Sequence, residues 1–234
     1  MEQTIKRCEL PVGESLPGWE PCELPSHEAM TGHYCRLERL DVDAHAADLY
    51  EAFGLNTDQS SWTYLPYGPF DSFDPFEYWL DGCKHNNDPL FYTVIDLHTE
   101  IAVGLVSYLR MAPEAGVIEV GHIHFSPLLQ RTPMATEAMY LMMQRVFDEL
   151  GYRRYEWKCD ALNAPSARAA ARLGFVFEGT FRQATVYKGR NRDTAWFSIT
   201  DKEWPVIRQA LQRWLAAENF DSQGQQLHSL AMLR

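Results

Sequence analysis

The stretch from Gln130 to Phe175 restricts the folds open to this chain more than any other. It reads Q-R-T-P-M-A-T-E-A-M, then a long apolar segment, then L-G-Y-R-R-Y-E-W-K-C-D, then N-A-P-S-A-R-A-A-A-R-L-G-F. Ala135, Met139, Met142, Val146 and Leu150 recur every three or four residues, which is one face of a helix. Tyr140, Met143 and Phe147 add a second apolar stripe, so the helix is expected to be buried on most sides. Thr132 is placed to cap it, Pro133 falls at the first helical position and Gly151 just past the last turn. Arg153, Tyr155, Trp157 and Cys159 then alternate with Arg154, Glu156, Lys158 and Asp160, a strand with one buried and one polar face. Pro165 opens a second helix with a slim Ala167, Ala170 and Ala171 side, closed by Gly174.

The start of the first helix is a candidate anion site. The N–H groups of Met134, Ala135 and Thr136 lack helical partners and Arg131 stands beside them. The same residues also describe an ordinary capped helix start.

Composition narrows the function classes. A length of 234 residues fits one large domain, or a domain with an arm. A net charge of −11 argues against a nucleic-acid backbone as partner and favours cationic substrates such as amines. No run is long and uncharged enough to cross a membrane, and the N-terminus lacks a signal-like apolar segment. The five cysteines are scattered and form no C-x-x-C, which points to a reducing, cytoplasmic setting and to neither a disulfide framework nor a zinc ribbon.

Along the chain, residues 1–32 carry Pro11, Pro17, Pro21 and Pro25 and read as an irregular arm lying on the domain, pinned by Trp19. Strands are expected over Tyr34–Leu40, Leu90–Leu97, Ile101–Leu109, Val117–Phe125 and Thr194–Ile199, with Val176–Glu178 and Thr180–Tyr187 extended and K-G-R-N-R-D as a turn. Ala46, Leu49, Tyr50 and Phe53 line an early helix, and Asp74 is expected to cap a short one. Between them a Pro- and Gly-containing loop over 60–70 carries Trp62, Tyr64, Tyr67 and Phe70. Val206, Ile207, Leu211, Trp214 and Leu215 mark a last helix, and 221–234 is a polar tail.

The central stretch resembles the GNAT superfamily of acyl-CoA-dependent N-acetyltransferases, in its RimJ/RimL-like form. The family's Q/R-x-x-G-x-G/A turn falls on Gln130 to Ala135, followed by the A-T-E-A of Ala135–Ala138. Its N-x-x-S falls on Asn163 and Ser166, and its L-G-F on Leu173–Phe175. Two positions depart from the pattern. Pro133 replaces the first Gly of the turn, removing one donor, and Ala170 stands where many members carry a general-acid tyrosine. The resemblance implies an α/β (α+β) fold with a mixed sheet of about seven strands, splayed between the fourth and fifth, over residues 33–220. It implies acetyl-CoA as co-substrate, with Gln130, Arg131, Thr132, Met134, Ala135, Thr136, Asn163 and Ser166 as its binding residues. The pantetheine arm would pair with the strand Val117–Phe125.

In such enzymes an amine attacks the thioester carbonyl directly, which needs a neutral amine, an oxyanion donor and a proton for the leaving thiolate. The E-V-G-H of the fourth strand matches the family's E-I-G-Y, making Glu119 the candidate base; it is equally readable as a strand Glu. Ser166 is the candidate proton donor. Trp62, Tyr64, Tyr67 and His122 are the candidate acceptor-side residues. His122 and His124, two apart on a strand, are expected to share a face with Val120, and with Cys159 they would be the only candidate zinc set; no metal is expected. The acceptor is a small amine or a protein N-terminus, and the protein a monomer or homodimer without nucleic-acid or membrane partners. The competing reading is an acyl-CoA-binding module of the same fold that has lost catalysis, for which Pro133 and Ala170 speak.

Overall fold

The computed structural model describes residues 10–234. Its centre is one eight-stranded mixed sheet in the order β1-β2-β3-β4-β5-β6-β8-β7. The strands are β1 (Met30–Thr31), β2 (Cys35–Arg39), β3 (Leu90–Asp96), β4 (Ala102–Ala112), β5 (Val117–Phe125), β6 (Arg154–Asp160), β7 (Val176–Tyr187) and β8 (Arg190–Thr200). Every neighbouring pair is antiparallel except β5–β6. The strand beyond the expected seven is β1, two residues of the arm that pair with Arg36 and Leu37. The fourth and fifth strands of the sequence pattern are therefore β5 and β6. The segment expected as a turn at 188–193 is shorter: β7 and β8 pair out to Tyr187–Arg190, and only Lys188 and Gly189, both at positive φ, turn the chain.

Helices cover both faces. α1 (Val42–Gly54) and α2 (Phe73–Lys84) lie on one, with Leu49, Phe53, Trp62, Phe76 and Leu80 packed against Phe91 and Leu105. α3 (Pro133–Gln144), α4 (Ala164–Leu173) and α5 (Trp204–Leu215) lie on the other, around Tyr108, Met142, Tyr155, Phe175 and Leu211. Local chemistry sets the helix starts. The Asp41 carboxylate caps α1 by accepting from the Asp43 and Ala44 N–H groups. Thr132 caps α3 and Pro133 occupies its first position, as the sequence indicates. α2 begins two residues earlier than the Asp74 cap predicts; Ser72 holds the cap position and Asp74 sits in the first turn, where its charge faces the positive helix end.

Both ends of the described chain lie on the domain. Trp19 donates its indole N–H to the Glu114 carbonyl at 3.1 Å, and Tyr92 donates its hydroxyl to the Ser26 carbonyl at 2.6 Å. After α5, Trp214 donates to Gln226 at 2.7 Å and Leu230 is buried.

One buried carboxylate ties the sheet edge to α3. Glu137, 5% exposed, accepts from the backbone N–H groups of His33, Tyr34 and Cys35 at 2.6, 2.6 and 2.8 Å. A Cβ on Gly32 would lie 2.3 Å from the Glu137 carboxyl carbon, so only glycine lets the turn between β1 and β2 approach this closely. The Glu of A-T-E-A is thus structural. Glu137→Ala leaves three donors without their acceptor, at about 1–3 kcal/mol for each that stays dry. Thermal unfolding of this variant is expected to shift down by several degrees with β1 and β2 losing amide-exchange protection first; an unchanged midpoint would show that water replaces the carboxylate.

Candidate active site

The site begins where two strands part. β5 and β6 pair in parallel at only four positions, ending at Val120 opposite Trp157. Beyond that point β6 keeps its antiparallel partner β8 as far as Asp160–Thr194, while Gly121 to Phe125 have no partner on the β6 side. A bulge bends β5 at the same place. Leu105 of β4 faces His124 and Ser107 faces Gly121, so three steps on β5 oppose two on β4. His122 takes up the extra residue at φ +51°.

The bulge inverts the side-chain alternation. Val120 belongs to the core under α3, together with Ile123 and Phe125. His124 instead stacks on Phe53 at 3.8 Å between centroids, and His122 lies against Phe91 at 5.1 Å, both on the α1–α2 side. The expectation that Val120 shares a face with the two histidines is corrected by this one extra residue.

The parting strands open a cleft of about 940 Å³. Arg110 of β4, Glu119 to Ile123 of β5 and Trp157 to Asp160 of β6 line it. So do Tyr64 and Pro66 of the aromatic loop, Asn163 and Ser166 at the start of α4, and Tyr187, Arg192 and Trp196 of the β7–β8 hairpin. Three hydrogen bonds join these walls. Lys188 donates to the Trp62 carbonyl at 2.8 Å, Tyr187 donates to the Asp160 carboxylate at 2.8 Å, and Tyr64 donates to the Leu162 carbonyl at 3.1 Å.

The polar face of β6 is a charge ladder, buried at its centre and exposed at its ends. Glu119, 3% exposed, accepts from Arg110 at 2.8 Å on both oxygens and from Lys158 at 2.8 Å. Lys158 also reaches Glu156 at 2.8 Å, and Arg154 joins Glu156 at 2.7 Å to Glu178. The Arg154 guanidinium, with help from the Ser198 hydroxyl, holds the Glu178 carboxyl down at about 2. Sequence alternation marked these residues as one face but could not show that β4, β5 and β7 bring Arg110, Glu119 and Glu178 to them.

Ser166 is set by two bonds. Its N–H donates to the Asn163 carboxamide at 3.1 Å, which caps α4, and its Oγ accepts from the Trp157 indole N–H at 2.9 Å. With that lone pair used, the hydroxyl proton is left to donate elsewhere. Ala170 is fully buried in the core.

Of the acceptor-side candidates, Tyr64 and His122 line the cleft while Trp62 and Tyr67 stand behind it. Trp62 is 6% exposed, edge-on to Phe53 and Phe70. Gly68, at φ +61°, passes so close to the Trp62 ring that a Cβ would meet it at 2.4 Å. Tyr67 bonds through its hydroxyl to His122 Nδ1 at 2.9 Å. His124 Nε2 pairs with Ser61 at 3.1 Å. Neither histidine is arranged as a ligand, and among the described residues no group of three His, Cys, Asp or Glu side chains is placed to hold a metal ion.

At the Gln130–Thr136 turn, Gln130 donates to the Phe125 carbonyl at 2.7 Å and borders the cleft. Arg131 is exposed at φ +62°. The Ala135 N–H is taken by Thr132 Oγ1 at 3.3 Å, and the Thr136 hydroxyl accepts from Arg172 at 3.1 Å. Met134 is half-buried against the core. Pro133 lacks an N–H and the cap uses another, so the turn offers fewer donors than the sequence suggests. Arg110, Lys158, Arg192 and Trp196 line the cleft without having been singled out from sequence; residues of hairpins and far strands carry no local signal of convergence.

The profile of the acetyltransferase (GNAT) domain matches residues 36–176. This chain belongs to the GNAT acetyltransferase family. It is similar to a GCN5-related N-acetyltransferase from Brucella melitensis, 49% identical with a TM-score of 0.91, over 93% of this chain and 99% of that one. A probable GNAT acetyltransferase from Chromobacterium violaceum is 45% identical with a TM-score of 0.78, over 84% and 98%. An uncharacterized N-acetyltransferase, YnaD of Bacillus subtilis, is 24% identical over 67% of this chain and 90% of its own. The ribosomal L7/L12 α-N-protein acetyltransferase RimL, at 18% identity and a TM-score of 0.63, shares the fold alone. For this GNAT protein the parted strands and the cleft are therefore the place to look for acyl transfer.

The two histidines give the fold a pH dependence. Burial pushes His122 down to about 4, assisted by Arg110 and Arg192, and burial pushes His124 down to about 3. Between the ordinary value of 6.5 and these values the unfolded chain binds protons that the folded chain does not. Their neutral forms hold the fold in full above that window, and stability falls as pH drops through it. His124→Phe keeps a ring on Phe53, so its melting temperature is expected to fall less than wild type between about pH 7 and about pH 4. Equal falls would remove His124 from the acid response.

Proposed function

We propose that this protein is an acetyl-CoA-dependent N-acetyltransferase that acetylates a primary amine by direct attack. The observation that carries the proposal is the β5 backbone from Gly121 to Ile123, without a partner on its β6 side and lining a cleft that also holds Ser166. Backbone groups left without a strand partner can be satisfied by a ligand with amides, and pantetheine has them. Gln130 and Asn163 border the same cleft. Acetyl-CoA would supply the activated acyl group as a thioester, with its phosphates toward Arg131, the Met134 N–H and the capped first turn of α3 formed by Thr132, Ala135 and Thr136. RimJ/RimL-like chemistry on a protein N-terminus is one form of this reading; a small amine is the other.

The residues then divide as follows. Ser166, its Oγ already accepting from Trp157, directs its proton to the leaving thiolate. Glu119 has both oxygens engaged by Arg110 and Lys158. We assign it to fixing Arg110 and Lys158 at the cleft floor. Tyr67 orients His122, whose low proton affinity keeps the imidazole neutral beside the acceptor. The amine proton leaves through water.

Thiol release from acetyl-CoA over a panel of amines tests the proposal; CoA binding without release by any amine would leave the binding-module reading. Ser166→Ala is expected to lower kcat on the order of 10²-fold. An unchanged kcat would take the proton-donor role from Ser166. Glu119→Gln is expected to lower the rate by one factor at every pH. A loss concentrated at neutral pH and recovered at high pH would make Glu119 the base.

A further inference from the structure

The charges lining the cleft do not cancel. Arg110, Lys158 and Arg192 face Glu119 and Asp160. Arg110 and Lys158 are both engaged with Glu119. The Asp160 oxygens accept from the Tyr187 hydroxyl and the Leu162 N–H, each at 2.8 Å. Arg192 forms no ion pair among the described residues, and its Nε is buried with no hydrogen-bond partner among them. The Trp196 indole N–H, four residues further along β8, is buried and without a partner in the same way, and it too lines the cleft.

An unpaired guanidinium nitrogen out of water is costly, and in a chain of net charge −11 carboxylates are plentiful. The two carboxylates of the cleft, Glu119 and Asp160, are bonded to other groups, and neither pairs with Arg192. The guanidinium instead lies 5.7 Å from the Tyr187 ring centre and near enough to His122 to lower its proton affinity. A guanidinium so placed is suited to bidentate pairing with carboxylate or phosphate oxygens. The turn at the start of α3, proposed for the co-substrate phosphates, belongs to a different element. The bonds from Lys188 to the aromatic loop and from Tyr187 to Asp160 tie the hairpin across the cleft, which limits the size of what enters.

Resting on the transferase reading above, we propose that the acceptor is a small amine bearing a carboxylate or phosphate, and that Arg192 receives this anionic group. Arg192 is the specificity determinant, and Trp196 supplies a second donor on the same strand face.

The test compares matched acceptors: phenylalanine against phenylalaninamide, and phosphoethanolamine against ethanolamine. Thiol release from acetyl-CoA is expected to favour an anionic member on the order of tenfold or more in kcat/KM. Arg192→Met should reduce that preference to about twofold or less, mainly through KM, with Arg192→Lys intermediate. A second measurement needs no turnover: tryptophan fluorescence titration with N-acetylphenylalanine and with its amide. Wild type should bind the carboxylate more tightly and Arg192→Met should not. Equal use of both members of every pair, or an unchanged preference in Arg192→Met, overturns the proposal. So does a loss of CoA affinity by calorimetry exceeding the loss for the acceptor, since the cation would then serve the co-substrate. A peptide N-terminus preferred over every small amine overturns it as well. Carboxylate-selective binding that depends on Arg192, with no thiol release from any amine, keeps the anion site and sinks the transferase reading.

Discussion

The parallel pairing of β5 with β6 stops at Val120 and Trp157, and the functional half of the molecule depends on that stop. Each strand is anchored on its other side, β5 by β4 and β6 by β8, so separation costs only the pairing between them. The bulge at His122 is the companion feature. An extra residue increases local twist and bends the strand, which turns β5 away from β6. It also reverses the side-chain alternation, sending Val120 and Ile123 to one face and His124 to the other. One inserted residue thus creates the opening and decides what lines it.

The charge ladder is what makes this opening compatible with a stable sheet. Arg110, Glu119, Lys158, Glu156, Arg154 and Glu178 come from β4, β5, β6 and β7, and their formal charges sum to zero. Burying Glu119, Lys158 or Glu156 alone would cost several kcal/mol, whereas in the ladder each meets an opposite charge within hydrogen-bonding distance. Their positions also follow the register, with Glu119 opposite Glu156 and Glu156 opposite Ser198. A one-residue slip of β6 would bring Tyr155 or Trp157 under the ladder, so the ion pairs disfavour the wrong register more strongly than they add stability.

Local rules made the α3–β6–α4 segment legible in the sequence. The cap at Thr132, the proline after it and the alternation of β6 are effects of neighbours within a few residues, and the structure keeps them; α3 passes after Gln144 into a π turn over Arg145–Glu149 before Gly151 turns the chain at φ +69°. The family motifs carried the sheet order. What stayed hidden needed contacts between distant segments. Nothing near Glu137 indicates that it holds the N–H groups of residues a hundred positions earlier. The extra residue at His122 fits an unbroken alternating pattern until β4 is laid beside it. Trp62 and Tyr67 read as an acceptor wall because the loop is aromatic; their burial follows from the packing of α1 and α2. Arg192 sits in a segment whose Gly and charges suggest a turn, and only the extended hairpin carries it into the cleft.

Charge acts here at two distances. The overall charge of −11 sets up a field that draws cations toward the protein, the basis for expecting an amine from composition. That field is screened beyond about 8 Å at physiological salt. Inside the cleft, discrete groups decide, and the cation left over there has the opposite preference. The two do not conflict for a ligand that carries an ammonium and an anionic group on one small frame. Approach is favoured through the ammonium, and placement through the anion at Arg192. Once the anion is seated, the ladder leaves no free carboxylate in Glu119 to hold the ammonium as an ion pair, because Arg110 and Lys158 already occupy its oxygens. An amine without a counter-ion in a desolvated site loses its proton more readily, and the neutral form is the one that attacks.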